Sequence, residues 1–175
     1  MNRSSGPESV DTLDPVLRPA VPGDLDQINA VIGRAVMTWA LPERVKRLAL
    51  PVYHYDQQDL EHLSILVAED AAAAVVGVAA WESAEARDCP QGRRGLLLHG
   101  LYVDPDRQRL GLGSRLLAAA ESAARDQRYD GLLVKAQADA LGFFRARGLE
   151  PLACEDPDRD YANRFWLELA DGRRP

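Results

Sequence analysis

The sequence predicts a mixed α/β domain, a mostly antiparallel sheet flanked by helices. Three observations carry that prediction. Four apolar runs have the length of strands, at 64–68 (SILVA), 75–81 (VVGVAAW), 96–103 (LLLHGLYV) and 132–136 (LLVKA). Two stretches, 24–37 and 111–128, repeat apolar residues at helical spacing. The second of these lies between two strands, so 96–136 reads as a strand–helix–strand unit and requires one parallel pair.

In chain order, residues 1–14 read as a flexible leader of Ser, Gly, Pro and acidic residues. Val16 to Ala20 is a first strand. Pro22-Gly23 turns the chain, and Asp24 is the expected N-cap of a helix over 24–37, whose buried stripe is Leu25, Ile28, Val31, Ile32 and Ala35. Pro42 starts a short helix over 43–50, which Pro51 limits. The segment 51–63 holds two of the three histidines and two of the five tyrosines, and its pattern selects no element. Strands 64–68 and 75–81 form a hairpin. A polar connection (84–95) leads to the strand 96–103, which Asp104-Pro105-Asp106 ends. The helix 111–128 has a buried stripe of Leu112, Arg115, Leu116, Ala119, Ala120 and Ala123. After strand 132–136, Asp139 caps a short helix over 140–147 that Gly148 stops. Strands at 149–154 and 163–169 close the domain around a charged loop, Glu155 to Asp160. The domain spans 15–170, with a polar tail at 171–175.

The chain has 175 residues and a mass of 19.2 kDa, which fits one domain able to bury a core without disulfide or metal support. Its net charge of −6 argues against non-specific nucleic-acid binding, which needs a basic surface. Cys89 and Cys154 make neither a disulfide framework nor a zinc pattern. No apolar run follows a basic start, and none approaches the roughly 20 residues of a membrane span. A cytoplasmic, membrane-independent protein is expected.

The stretch Val103 to Leu117 (VDPDRQRLGLGSRLL) carries the chemistry. A strand ends, a charged loop follows, and Gly111 and Gly113 open a helix. Glycines let backbone approach a ligand closely, and the free N–H groups at a helix start form an anion site. Arg107, Arg109 and Arg115 add positive charge. A phosphate-bearing ligand fits. No Gly-Lys-Ser/Thr follows, so this is not a P-loop. Leu116 stands where a dinucleotide fingerprint needs glycine.

The loop does match Gln/Arg-x-x-Gly-x-Gly/Ala, as Gln108-Arg109-Leu110-Gly111-Leu112-Gly113. Here the chain resembles the GCN5-related N-acetyltransferase (GNAT) family, whose equivalent loop cradles the pyrophosphate of acetyl-CoA. Leu101-Tyr102-Val103-Asp104-Pro105 before the loop and Ala140 to Leu149 (ALGFFRARGL) after it extend the likeness. The resemblance implies the acyl-CoA N-acyltransferase fold and an acetyl-CoA-dependent N-acetyltransferase acting on a primary amine of a small molecule, by direct attack in a ternary complex. A protein or peptide acceptor, and a non-catalytic acyl-CoA sensor, stay open. The implied cofactor contacts are Leu101, Tyr102 and Val103 on the strand; Arg107, Gln108, Arg109, Leu110, Gly111, Leu112, Gly113 and Ser114 in the loop and helix start; and Gln137 and Phe144 downstream. No metal is implied. Small members of the fold often pair, which leaves a homodimer open.

Phe144 stands where the family often carries a tyrosine that protonates the departing CoA thiolate, so Tyr161, Tyr102 or water must serve. An attacking amine must first lose a proton, and histidine has a suitable ordinary pKa of about 6.5. His99 lies on the strand before the loop, and strand alternation puts it on one face with Leu101 and Val103. Leu98 to Val103 is similar to the matching strand of arylalkylamine N-acetyltransferases, which implies a base role for His99; Leu97 replaces a second histidine there. Glu82 is a second candidate base or an amine anchor. A backbone N–H near Leu101 to Val103 would hold the oxyanion, and Gly100 predicts a bulge that opens the sheet. Trp39, Tyr53, His54, Tyr55 and Trp81 are candidates for an aromatic acceptor pocket. Asp56, Asp59 and Glu61 could attract a cationic amine.

Overall fold

A computed structural model describes residues 14–169 of the chain. The leader expected before residue 14 and the tail expected at 171–175 lie outside the described residues. Seven strands form one sheet in the order β1-β2-β3-β4-β5-β7-β6. They are β1 (Val16–Pro19), β2 (Ser64–Glu69), β3 (Val75–Ser83), β4 (Gly95–Val103), β5 (Gly131–Lys135), β6 (Glu150–Pro151) and β7 (Arg164–Glu168). Every neighbouring pair is antiparallel except β4–β5. Among the described residues five α-helices flank the sheet: α1 (Leu25–Met37), α2 (Glu43–Tyr53), α3 (Gln57–His62), α4 (Leu112–Asp126) and α5 (Leu141–Ala146).

The sheet separates two cores. On one face, Ile28, Val31, Ile32 and Val36 of α1 pack on Ile65, Val67, Val78 and Ala80. On the other, Leu112, Leu116, Leu117 and Ala120 of α4 pack on Ala79, Leu96, Leu98 and Val134, with Phe144 of α5. Both faces of β3 and the first half of β4 are therefore covered, which is why those segments read as unbroken apolar runs. Gly77 lets α4 approach: a Cβ there would lie 3.0 Å from Leu116 and 3.2 Å from Leu112.

The mixed α/β architecture and the parallel unit agree with the sequence reading. Several local expectations do not. Asp24 does not cap α1. Its carboxylate accepts from Val21 N–H (2.8 Å) and from both terminal nitrogens of Arg18 (2.7 and 2.9 Å), tying β1 to the turn before α1. Pro51 does not end α2, which runs on to Tyr53. Leu50 and Tyr53 pack against the α1 core and hold that last turn in place. Residues 57–62, unassigned by pattern, form α3 behind a capping box of Asp56 and Asp59. Asp139 does not cap α5; it accepts the Ala40 N–H at 2.7 Å. The strand expected at 149–154 is two residues long, although Leu152 N–H still reaches Arg164 C=O at 2.8 Å.

Two stability outcomes follow. Leu116→Ala, at a fully buried site under β3, lowers unfolding free energy by about 2–5 kcal/mol, read from the urea midpoint at unchanged m. The Arg18 hydrogen bonds hold the Asp24 carboxyl below its ordinary range. A depressed folded pKa gives stability that is present above the unfolded carboxylate pKa of about 4 and lost as pH falls through the folded value. Asp24→Asn therefore costs about 2 kcal/mol at pH 7 and less at pH 3; an equal cost at both would contradict the ionised network.

Candidate active site

The site arises where β4 and β5 stop pairing. Their parallel register runs from Gly95↔Gly131 to Leu98↔Val134 and ends there, although β4 continues to Val103. On its other side β4 stays paired to β3, and Asp104 N–H bonds Val76 C=O at 2.9 Å. Alternation along an antiparallel ladder then turns the backbone groups of Gly100 and Tyr102 toward β3 and those of Leu101 and Val103 toward the gap. Gln108 Nε2 donates to Val103 C=O at 3.2 Å. The N–H groups of Leu101 and Val103 face open space. A cavity of about 1080 Å³ occupies the gap, lined by β4 from Leu97 to Val103 and by Val134 to Gln137.

The loop following β4 closes one end of this cavity. Gly111 caps α4 at φ +85°, a conformation suited to glycine, and Arg109 also sits in the left-handed region at φ +63°. The first intrahelical bond comes from Arg115 N–H to Gly111 C=O, so the N–H groups of Leu112, Gly113 and Ser114 remain free at the positive end of the helix dipole. Gln108, Arg109, Gly111, Gly113 and Ser114 line the cavity, as does Arg147, which hydrogen-bonds the Ser114 hydroxyl and lies over the Phe143 ring. Three expected loop contacts turn elsewhere. Arg107 pairs with Asp70 at 3.1 Å. Leu110 projects outward, 73% exposed. The Leu112 side chain is core, leaving only its backbone for a ligand.

Opposite the loop lies the second half of the cavity. β4 bulges against Ala80/Trp81: Gly100 pairs with Ala80 and Leu98 with Trp81, leaving His99 unpaired. Two consecutive residues, His99 and Gly100, therefore face α1, and Leu101 and Val103 face α4. This corrects the alternation argument, which placed His99 with Leu101 and Val103. The bulge expected at Gly100 is present.

His99 meets a residue that pattern reading listed only as an aromatic wall. Tyr55 Oη lies 3.2 Å from His99 Nδ1. Tyr55 is held by its own backbone, since Asn29 Nδ2 donates to Tyr55 C=O (2.8 Å) and Tyr55 N–H donates to Asn29 Oδ1 (2.9 Å). Gly100 makes room for the phenol, because a Cβ at 100 would collide with Tyr55 Oη. Burial, reinforced by Tyr102, Asp59 and Glu82, pushes the Tyr55 phenol far above its ordinary pKa, so it keeps its proton. His99 Nδ1 is the one hydrogen-bond partner of this hydroxyl among the described residues. The two groups share this bond, with the Tyr55 O–H as donor in the tautomer that carries the His99 proton on Nε2.

Glu82, at the end of β3, lines the same part of the cavity, half-buried and with no ion pair among the described residues. Tyr161 lines it from the β6–β7 loop; burial and the neighbouring Tyr53 raise its phenol. Tyr102 is on the α1 face, with its phenol pushed up by burial. Gln137 donates to Tyr53 Oη at 2.9 Å, and Phe144 is a buried wall. Trp39 and Tyr53 meet edge to face at 5.2 Å and line the cavity. Trp81 does not; it is packed into the α4 core. His54 is exposed at the end of α2, and Asp56 and Asp59 are spent on capping α3. No helix among the described residues is long and apolar enough to cross a membrane.

Known proteins share this fold. The acetyltransferase (GNAT) family model matches residues 33–149. An L-methionine sulfoximine/L-methionine sulfone acetyltransferase of Pseudomonas paraeruginosa is 30% identical over 155 residues, covering 85% of each chain. A GCN5-related N-acetyltransferase from Rhodopseudomonas palustris superposes with a TM-score of 0.69 at 22% identity, over 90% of this chain and 98% of its own. A GNAT acetyltransferase from Brucella melitensis, solved with acetyl-CoA, gives a TM-score of 0.60 at 20% identity, over 89% and 88% of the two chains. A sheet opened between β4 and β5, a helix start with free N–H groups beneath the opening and a matching sequence over most of the chain make this protein a member of the GNAT acetyltransferase family.

Proposed function

We propose that this protein transfers the acetyl group of acetyl-CoA to the primary amine of a small molecule, with His99 and Tyr55 taking the amine proton. The observation that carries this reading is the unpaired edge of β4, which runs from the free N–H groups of α4 to the bulged His99. Acetyl-CoA fits that path and supplies an activated acyl thioester. The N–H groups of Leu112, Gly113 and Ser114, flanked by Arg109 and Arg147, would take its diphosphate. The Leu101 and Val103 N–H groups would take amide oxygens of its arm or the thioester oxygen as negative charge builds there. The P. paraeruginosa relative, named for small amino-acid analogues, supports a small acceptor.

The acceptor amine enters as an ammonium and must lose a proton to attack. His99 Nδ1 is the basic atom of the ring, and the Tyr55 O–H stands between it and the cavity. As the Tyr55 proton passes to Nδ1, Tyr55 Oη takes one from the amine, directly or through a water. His99 becomes imidazolium and Tyr55 stays a phenol, the form its burial favours. Glu82 holds the incoming ammonium. The amine nitrogen bonds the acyl carbon, the carbon–sulfur bond breaks, Tyr161, whose raised phenol is protonated, gives its proton to the thiolate, and the second proton shed by the nitrogen as it becomes an amide returns Tyr161 to a phenol through water.

Three outcomes test this. His99→Ala lowers kcat about 10²-fold or more while acetyl-CoA still raises Tm; unchanged kcat removes His99 from the mechanism. Tyr55→Phe, which keeps the ring and removes the hydroxyl, lowers kcat by a similar factor with KM for acetyl-CoA held; full activity would exclude the relay. Gly111→Val forces a β-branched residue toward φ +85° and raises the CoA Kd at least tenfold by calorimetry; an unchanged Kd would exclude the loop as the diphosphate site.

A further inference from the structure

The charges around the acceptor half of the cavity select among amines. Among the described residues the cations near that half are already engaged, Lys46 Nζ by the carbonyl oxygens of Met37 (2.7 Å) and Trp39 (3.3 Å). Lys135 Nζ lies 2.8 Å from Asp88 Oδ2, and Arg164, on the strand beside it, is held by Asp160 at 3.1 Å. Arg109 and Arg147 belong to the loop end, where a diphosphate would use them. Glu82 is a carboxylate without an ion-pair partner among the described residues, whereas Glu85, also in the lining, is paired with Arg87 at 2.7 Å. The remaining wall is the Trp39–Tyr53 pair with Leu97. In an α-amino acid the carboxylate sits two bonds from the reacting nitrogen. It would therefore be carried beside Glu82 with no free cation among the described residues to meet it, and like charges at that range repel strongly in a partly desolvated site.

We infer that the acceptor is a primary amine with an apolar body and no α-carboxylate, unlike the amino-acid analogues for which the P. paraeruginosa relative is named. Glu82 is the specificity-determining residue: it attracts the ammonium and repels a carboxylate attached to the same carbon. This inference rests on the transferase reading above and deepens it.

Matched pairs test it directly. CoA release by the full-length protein is measured with acetyl-CoA and either 2-phenylethylamine or L-phenylalanine, and with either 3-(methylsulfonyl)propylamine or L-methionine sulfone. Each pair differs by one carboxylate. The carboxylate-free member is expected to have kcat/KM at least tenfold higher in both pairs, and Glu82→Gln to bring both ratios toward one, with its fold checked by Tm. Amino acids acetylated as well as or better than their partners overturn the inference and leave the transferase reading standing. Ratios that persist unchanged in Glu82→Gln overturn the role given to Glu82. Transfer to none of the four, with acetyl-CoA still raising Tm, overturns the transferase reading and this inference with it.

Discussion

The structure depends on one broken ladder. β4 and β5 share hydrogen bonds up to Leu98 and Val134 and then part, while β3 holds β4 straight to Val103. An interior sheet edge with unpaired N–H groups is costly unless something satisfies it, and here it borders a cavity open to water and ligand. The parting sets the rest of the site in place. It exposes Leu101 and Val103, points the edge at the start of α4, and leaves room between β5 and β4 for an acyl chain.

The bulge one residue beyond the last β4–β5 pair has the opposite effect on side chains. It turns His99 out of the α4 core and toward Tyr55, whose backbone Asn29 clamps from α1. Gly100 then has to lack a side chain, because the phenol occupies that space. The free backbone N–H groups of Leu101 and Val103 and the side chain of His99 thus come from one five-residue stretch of one strand. Two hydrogen bonds join the walls of the cavity from opposite halves of the chain: Ala40 N–H to Asp139, and Gln137 to Tyr53. They hold Trp39 and Tyr53 beside β5.

Much of this was legible in the residues. Helical and strand periods located both cores, because Leu112, Leu116 and Ala120, or Ile28, Val31 and Ile32, have no other way to bury themselves. The Gln108–Gly113 spacing marked the loop and helix start that close one end of the cavity, and Gly100 announced the bulge. The direction of His99 was not legible, since one extra residue in a strand reverses the alternation on which the argument rests. Tyr55 was grouped with pocket aromatics because its partners, Asn29 and His99, lie 26 and 44 residues away. Asp24 and Asp139 looked like caps by position; Arg18 on the neighbouring strand and Ala40, 99 residues away, claimed them instead. Arg107 carries the right charge in the right loop, and Asp70 draws it away.

Amide hydrogen exchange along β4 tests the central claim most directly. In the free protein, the Leu101 and Val103 amides should exchange quickly while those of Gly100 and Tyr102, bonded to β3, are protected. Adding CoA should slow Leu101 and Val103 and leave Gly100 and Tyr102 nearly unchanged. Equal protection at all four positions before CoA is added, with no change after it, would mean that β4 has no open edge and that the site lies elsewhere.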